Sequence, residues 1–274
     1  MNSAAKQRWR RTGWLLLFSA ATLAAYARWA AEFPRLSYLS GAALFFVMVI
    51  LALYNGRKKL PFLPLGTSES WLQFHIYAGF FTVTLFLVHI RFRMPAGWFE
   101  SILAWLYILV TGSGVAGLFV SRTIPKRLTT RGGEVLFERI PAIRRGLQEQ
   151  AETLALKSMP EVHSITIADF YIRHLQDFFE GPRNLYLHLL EVRRPLNVLQ
   201  NQIADLNRYL NERERETLNK ISVLVRQKDG LDYHQSLQLL LRGWLFIHIP
   251  LTYSLLIFSI VHIILVYAFS GGAR

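Results

Sequence analysis

Residues 71–90 read WLQFHIYAGFFTVTLFLVHI, and residues 244–263 read WLFIHIPLTYSLLIFSIVHI. Each is an apolar run of the length a helix needs to cross a bilayer core, roughly 20 residues for about 30 Å. Each also carries two histidines, His75 and His89 in the first run and His248 and His262 in the second, separated in both by fourteen positions. Over fourteen residues an α-helix rises about 21 Å and completes nearly four turns, so the two histidines of a run share a face and stand near opposite ends. Histidines inside such runs are uncommon and are read first as functional.

Working outward, three more apolar stretches, 14–31, 39–54 and 99–120, bring the expected spans to five, the second being the shortest. The chain is 52% hydrophobic yet carries a net charge of +13, so its charges must be segregated along the sequence. Most fall between the fourth and fifth spans. The expected organisation is therefore transmembrane helices 1 to 4 in 1–120, a cytoplasmic loop domain in 121–243, and helix 5 with an outer tail in 244–274.

Lys6, Arg8, Arg10 and Arg11 precede the first span, Arg57, Lys58 and Lys59 follow the second, and Arg122, Lys126, Arg127 and Arg131 follow the fourth. By the positive-inside rule these segments are cytoplasmic. The opposite side has only Arg28, Arg35, Arg91 and Arg93 in short loops, plus Arg274. This predicts a multi-pass protein of the cytoplasmic (inner) membrane with its N terminus inside and its C terminus outside. The Ala25-Tyr26-Ala27 pattern after a basic stretch and an apolar run also fits a signal peptide, but the run continues to Ala31, which suits a retained span better. Cleavage would leave the other four helices in the same orientation.

The third and fifth spans then run parallel, so His75 is expected to face His248 near the inner surface and His89 to face His262 near the outer one. Two imidazoles converging from facing helices are what a six-coordinate haem iron requires, and burial between helices stabilises the apolar porphyrin. Two bis-His haem b groups are the expected cofactors, with iron centres on the order of 20 Å apart by the helix rise. The chain has no cysteine, which excludes c-type attachment, thiolate-bound zinc and iron–sulfur clusters within it. Interhelical hydrogen bonding or a transported metal is the rival explanation of the histidines; matched pairs on parallel helices favour haem.

The neighbouring positions agree. His75, Gly79, Thr82, Phe86 and His89 form one stripe, and His248, Thr252, Leu255, Ser259 and His262 form the other. Gly79 is expected to leave room for a ring. Gly112, Ser113, Gly114 and Gly117 on the fourth span allow close approach to a haem face or a neighbouring helix. Phe86 is a candidate to lie between the haems, plain packing being the other reading. Arg91 and Arg93 follow His89 and suit the propionates of an outer haem. Arg57, Lys58, Arg122 and Arg242 are similarly placed on the inner side, where snorkelling and topology explain them equally well.

At these histidines the sequence resembles the di-haem cytochrome b membrane cores of bc complexes and of the ferric-reductase and NADPH-oxidase group. The resemblance covers the second to fifth spans and rests on His75, His89, His248 and His262. It implies an all-α membrane protein: five transmembrane helices containing a four-helix di-haem bundle, with a mainly helical cytoplasmic insertion between helices 4 and 5. Pairing through the third and fifth spans looks more like the reductase arrangement. Members of that group that use NADPH carry a sixth span and a flavin and nucleotide domain. Here the sequence stops at Arg274, and its only Gly-x-Gly, 112–114, lies inside a membrane helix. Any NADPH is thus expected to be bound by another polypeptide.

The segment 121–243 has a near balance of basic and acidic residues, which does not imply nucleic acid. Leu196, Leu199, Ile203, Leu206 and Leu210 have the three-four spacing of an amphipathic helix, and 169–180 reads as another helix ending at Gly181-Pro182. Residues 164–167 and 221–225 are β-branched enough to read as short strands. His163, His174, His188 and His234 lack metal-like spacing and read as surface or packing residues. Asp232 and His234 read as part of a solvated loop, a proton relay to a quinone at the inner haem being the alternative.

The expected function is an electron-transfer subunit. It would carry electrons between a quinone or cytoplasmic-side donor and an outer acceptor such as a c-type cytochrome or another redox subunit, within a hetero-oligomeric respiratory-chain complex, with quinone as a candidate further cofactor. The alternatives are a transmembrane ferric or oxygen reductase fed by a separate flavoprotein, or a haem or metal transporter.

Overall fold

The computed structural model describes residues 3–30, 32–33, 36–57, 67–129, 135–157 and 165–270. Among them there is no β-strand; ten α-helices, joined in places by short 3-10 and π turns, carry the chain. Helices α1 (Ser3–Trp29), α2 (Leu36–Arg57), α3 (Ser68–His89) and α4 (Trp98–Leu128) come first, and the last helix, α10 (Glu212–Ser270), is the longest. Between them lie α5 (Ile140–Glu152), α6 (Ile165–Phe170), α7 (Gln176–Glu180), α8 (Leu185–Leu189) and α9 (Arg194–Asn207).

The chain divides into two compact units, Met1–Leu118 with Trp244–Arg274, and Phe119–Gly243. In the first, four helices are long and apolar enough to cross a membrane: α2, α3, α4 and the C-terminal part of α10. Their outward faces carry large apolar side chains such as Leu39, Phe46, Trp105, Phe246 and Ile264, all exposed. That is the pattern of helices whose solvent is lipid, in which every backbone polar group is satisfied within the helix. Most of the first expected span, 14–31, lies in α1; Ala31 is outside the described residues, as are Arg35, Lys58, Lys59, Arg131 and Arg274 among the topology markers. Helix α1 packs on α3, where Thr84 Oγ1 donates to Ser19 Oγ at 3.2 Å.

Helix α3 starts at Thr67, whose side chain accepts from the Ser70 amide at 3.2 Å, satisfying one of the orphan donors of a first turn. It ends with Arg91 N–H donating to Val88 O at 3.1 Å and Phe92 N–H to Leu87 O at 2.9 Å. This is a Schellman closure, and it places Arg91 (φ 53°) in the left-handed region where glycine is usual. Phe92 follows at φ 57°.

The second unit is built on its own core. Ile140, Leu147, Tyr171, Leu175, Phe179, Leu218, Ile221 and Val225 are buried together. The expected stripe lies on α9 except for Leu210, which follows its end at Asn207: Ile203 and Leu210 are buried, and Leu196, Leu199 and Leu206 pack against the same core. Residues 165–180 form α6, a π turn (Tyr171–Leu175) and α7 in sequence, ending at Gly181 in an extended conformation.

Two expectations for this unit are corrected. Residues 165–167 and 221–225 are helical, not strands; Ser164 lies outside the described residues. Leu218, Ile221 and Val225 are all fully buried, so the helical three-four spacing buries one face and overrides the weak β preference of the branched side chains. Asp232 and His234 are not in a solvated loop but buried within α10. Asp232 accepts from Lys228 Nζ at 2.6 Å and from the Arg183 amide at 3.1 Å. His188 is buried, His174 is exposed, and His163 lies outside the described residues.

Candidate functional site

The two histidine stripes point inward. Thr82 and Phe86 on α3 are buried, as are Leu255 and Ser259 on α10, and all four histidines are partly buried. Helices α2 and α3 pack closely.

At one end of the bundle His89 and His262 meet with ring centroids 6.3 Å apart and planes at 85°. Metal–imidazole bonds are on the order of 2 Å, and a ring nitrogen lies on the order of 1 Å from its centroid. Opposed axial ligands on one metal therefore have centroids roughly 6 Å apart, and the observed pair has that separation. His89 Nδ1 is 3.0 Å from the Ser37 carbonyl oxygen on α2. A carbonyl only accepts, so Nδ1 carries the hydrogen and Nε2 is left with the lone pair that a metal needs.

The ring reaches that carbonyl because residue 41 is glycine. A Cβ at Gly41 would stand 2.7 Å from His89 Cε1 and 2.9 Å from Nδ1. Ser37 also accepts, at its hydroxyl, from Arg91 Nε at 2.9 Å. Phe99 lies beside His262 with centroids 6.4 Å apart. Arg91 and Arg93 are both exposed in the turn after α3.

At the other end are His75 on α3 and His248 on α10. The His75 ring lies 5.3 Å from that of Tyr54, and its Nδ1 is buried without a hydrogen-bond partner among the described residues. His248 Nδ1 is 2.7 Å from Ser113 Oγ on α4. The Trp244 ring stacks on the imidazole at 5.6 Å and 27°. A Cβ at Gly114 would stand 3.7 Å from His248 Cε1, an ordinary contact, whereas one at Gly117 would collide with the Trp244 indole.

Between the two levels Phe86 stacks on Tyr107 of α4 at 4.1 Å and 19°. Thr82 Oγ1 gives its hydrogen to Gly79 O at 2.7 Å, so it accepts from Tyr107 OH at 2.9 Å. A Cβ at Gly79 would meet nothing within 4 Å, so the histidine face of α3 is open there. Gly112 is exposed and has no neighbour within 4 Å of a Cβ, so it is not brought to the histidines.

These features fit the implied haem groups. Among the described residues no three His, Cys, Asp or Glu side chains converge. The fit rests on the 6.3 Å separation, the tautomer fixed at His89 and the open face at Gly79.

Ser37, Gly41 and Trp244 were not visible as site residues from the sequence. A signal for Trp244 exists: Trp-Leu-x-x-His-Ile occurs at 71–76 and again at 244–249, placing a tryptophan one helical turn before His75 and before His248. Ser37 and Gly41 carry no such signal, because their role depends on how α2 packs on α3. The chain matches no protein-family model, no curated protein and no solved structure.

Proposed function

We propose that this chain is a membrane di-haem b-type cytochrome that carries electrons across the bilayer. Its partners on this reading are a quinone or cytoplasmic-side donor and an outer-side acceptor such as a c-type cytochrome, within a hetero-oligomeric oxidoreductase complex of the respiratory chain. The observation that carries the reading is the convergence of His89 and His262 at 6.3 Å, with His89 held in the metal-binding tautomer by the Ser37 carbonyl.

Bound haem would supply a one-electron centre at each end of the bundle. The protein's part is to hold, orient and insulate. His89 with His262, and His75 with His248, would hold the two haems; Ser37 and Ser113 orient the His89 and His248 rings that reach them. Thr82, Phe86, Tyr107 and Leu255, all buried, keep water from the space between the two levels. Arg91, whose Nε is held by Ser37, and Arg93 are the cations available to propionates at the His89 end.

On this reading α1 is the fifth span. Lys6, Arg8, Arg10 and Arg11 at its start hold the N terminus in the cytoplasm with residues 121–243, and the C terminus lies outside, in the cytoplasmic membrane.

The test is a proteoliposome holding the haem-loaded protein, an entrapped acceptor such as ferricyanide, and a membrane-impermeant reductant outside. Protein-dependent reduction of the entrapped acceptor, lost in His89→Ala, is the expected result. Reduction at the rate of protein-free vesicles would refute transmembrane electron transfer.

A further inference from the structure

Resting on the di-haem reading, we propose that Ser113 and Trp244 are positioning residues that fix the tautomer and ring plane of His248 and thereby tune the haem held by His75 and His248. Ser113 Oγ lies 2.7 Å from the Val110 carbonyl oxygen and 2.7 Å from His248 Nδ1. A serine hydroxyl has one hydrogen and two lone pairs. The carbonyl can only accept, so the hydroxyl hydrogen goes to Val110, and the bond to His248 runs from Nδ1–H to the serine oxygen. Nε2 then presents its lone pair, as at His89, though here the acceptor is a side chain and can be removed by mutation.

Trp244 fixes the second degree of freedom. Its indole Nε1–H donates to the Ser113 carbonyl at 2.8 Å while its ring stacks on His248. Gly117 makes room for that ring, since any Cβ there would collide with it. Val110, Ser113 and Gly117 follow one another at steps of three and four along α4, so a single face of that helix meets both Trp244 and His248.

A hydrogen bond from the distal nitrogen makes an imidazole a stronger donor to its metal, and ligand hydrogen bonding is a lever on the potential of haem iron. A stronger donor favours the ferric state. Loss of the Ser113 acceptor should therefore raise the midpoint potential of one haem and spare the other.

The experiment is a redox titration, followed in the visible spectrum, of detergent-purified, haem-loaded wild type, Ser113→Ala, Ser113→Thr and Trp244→Phe. In Ser113→Ala one midpoint is expected to rise, by up to about tenfold in the reduced-to-oxidised ratio at fixed ambient potential, or about 59 mV for one electron. The other midpoint should stay, and Ser113→Thr, which keeps the hydroxyl, should restore the wild-type value. If Ser113→Ala sheds one haem instead of shifting it, Ser113→Thr should retain it. Trp244→Phe should alter the electron paramagnetic resonance g values of the same haem by freeing its ligand plane. Two unmoved midpoints in Ser113→Ala, or a shift or loss that threonine does not reverse, overturn the role of Ser113, and unchanged g values overturn that of Trp244. A wild type without haem would instead overturn the di-haem reading beneath both.

Discussion

Gly41→Ala isolates the support of one histidine. The added methyl would sit 2.7 Å from His89 Cε1 and 2.9 Å from Nδ1. An ordinary contact between carbon atoms is about 3.5–4.0 Å, so the ring must withdraw by about 1 Å. The Nδ1 to Ser37 carbonyl bond, now 3.0 Å, would open to about 4 Å, beyond hydrogen-bonding range. The helix itself should not suffer, because alanine in place of glycine favours a helix by about 0.8–1.0 kcal/mol, which offsets the net loss of one hydrogen bond, about 0.5–1.5 kcal/mol. The damage should therefore appear in ligand geometry rather than in folding. Loss of the partner that orients a metal-binding histidine typically costs about 10–100-fold in affinity. Haem titration into the haem-depleted protein should show one site weakened by that order and the other unchanged. Gly112→Ala is the control, since a Cβ there meets nothing within 4 Å. Equal affinity at both sites in Gly41→Ala would refute the argument that this glycine exists to admit the His89 ring.

Tyr107→Phe should retain the stack on Phe86 and cost about 1 kcal/mol for the lost bond to Thr82, whereas Tyr107→Leu should cost a further 0.5–1.5 kcal/mol or so for the lost aromatic pair; thermal unfolding in detergent measures both. In the second unit Lys228 is fully buried against Asp232 at 2.6 Å, and burial, the largest influence, holds its ammonium below the ordinary value of 10.5 despite the opposing carboxylate. Because the unfolded chain binds that proton more readily, the cost is full below the folded-state pKa and is relieved as pH rises from there towards 10.5. Stability of the wild type relative to Lys228→Met should therefore rise with pH across that window, and a flat difference would contradict it. Asp232→Asn should destabilise by about 3–5 kcal/mol by stranding the buried ammonium, which denaturant unfolding followed by circular dichroism would detect.

The shared face of the two histidines on each helix was legible because it rests on helical arithmetic: fourteen positions return to the same face whatever the neighbours do. The amphipathic stripe of α9 was legible for the same reason. What escaped was fixed by tertiary packing. Nothing in the local sequence separates Gly41, which admits the His89 ring, from Gly112, which faces outward with open space around it. Ser37 acts through its main-chain carbonyl, which every residue possesses, so no side-chain motif marks it. Residues 221–225 were misread because β-branched side chains suggested a strand, while Leu218, Ile221 and Val225 bury one helical face. Asp232 looked solvated because it is charged. Its buried partner stands one helical turn away on α10, and the Arg183 amide reaches it from a distant part of the chain.

The central claim is that four histidines hold two haems, and the most direct measurement is haem content per chain with a redox-titrated visible spectrum of the detergent-purified protein, beside His75→Ala and His89→Ala. The account predicts two b-type haems per chain, with a different one lost in each variant. A wild type that binds no haem, or variants that both keep two, would contradict it.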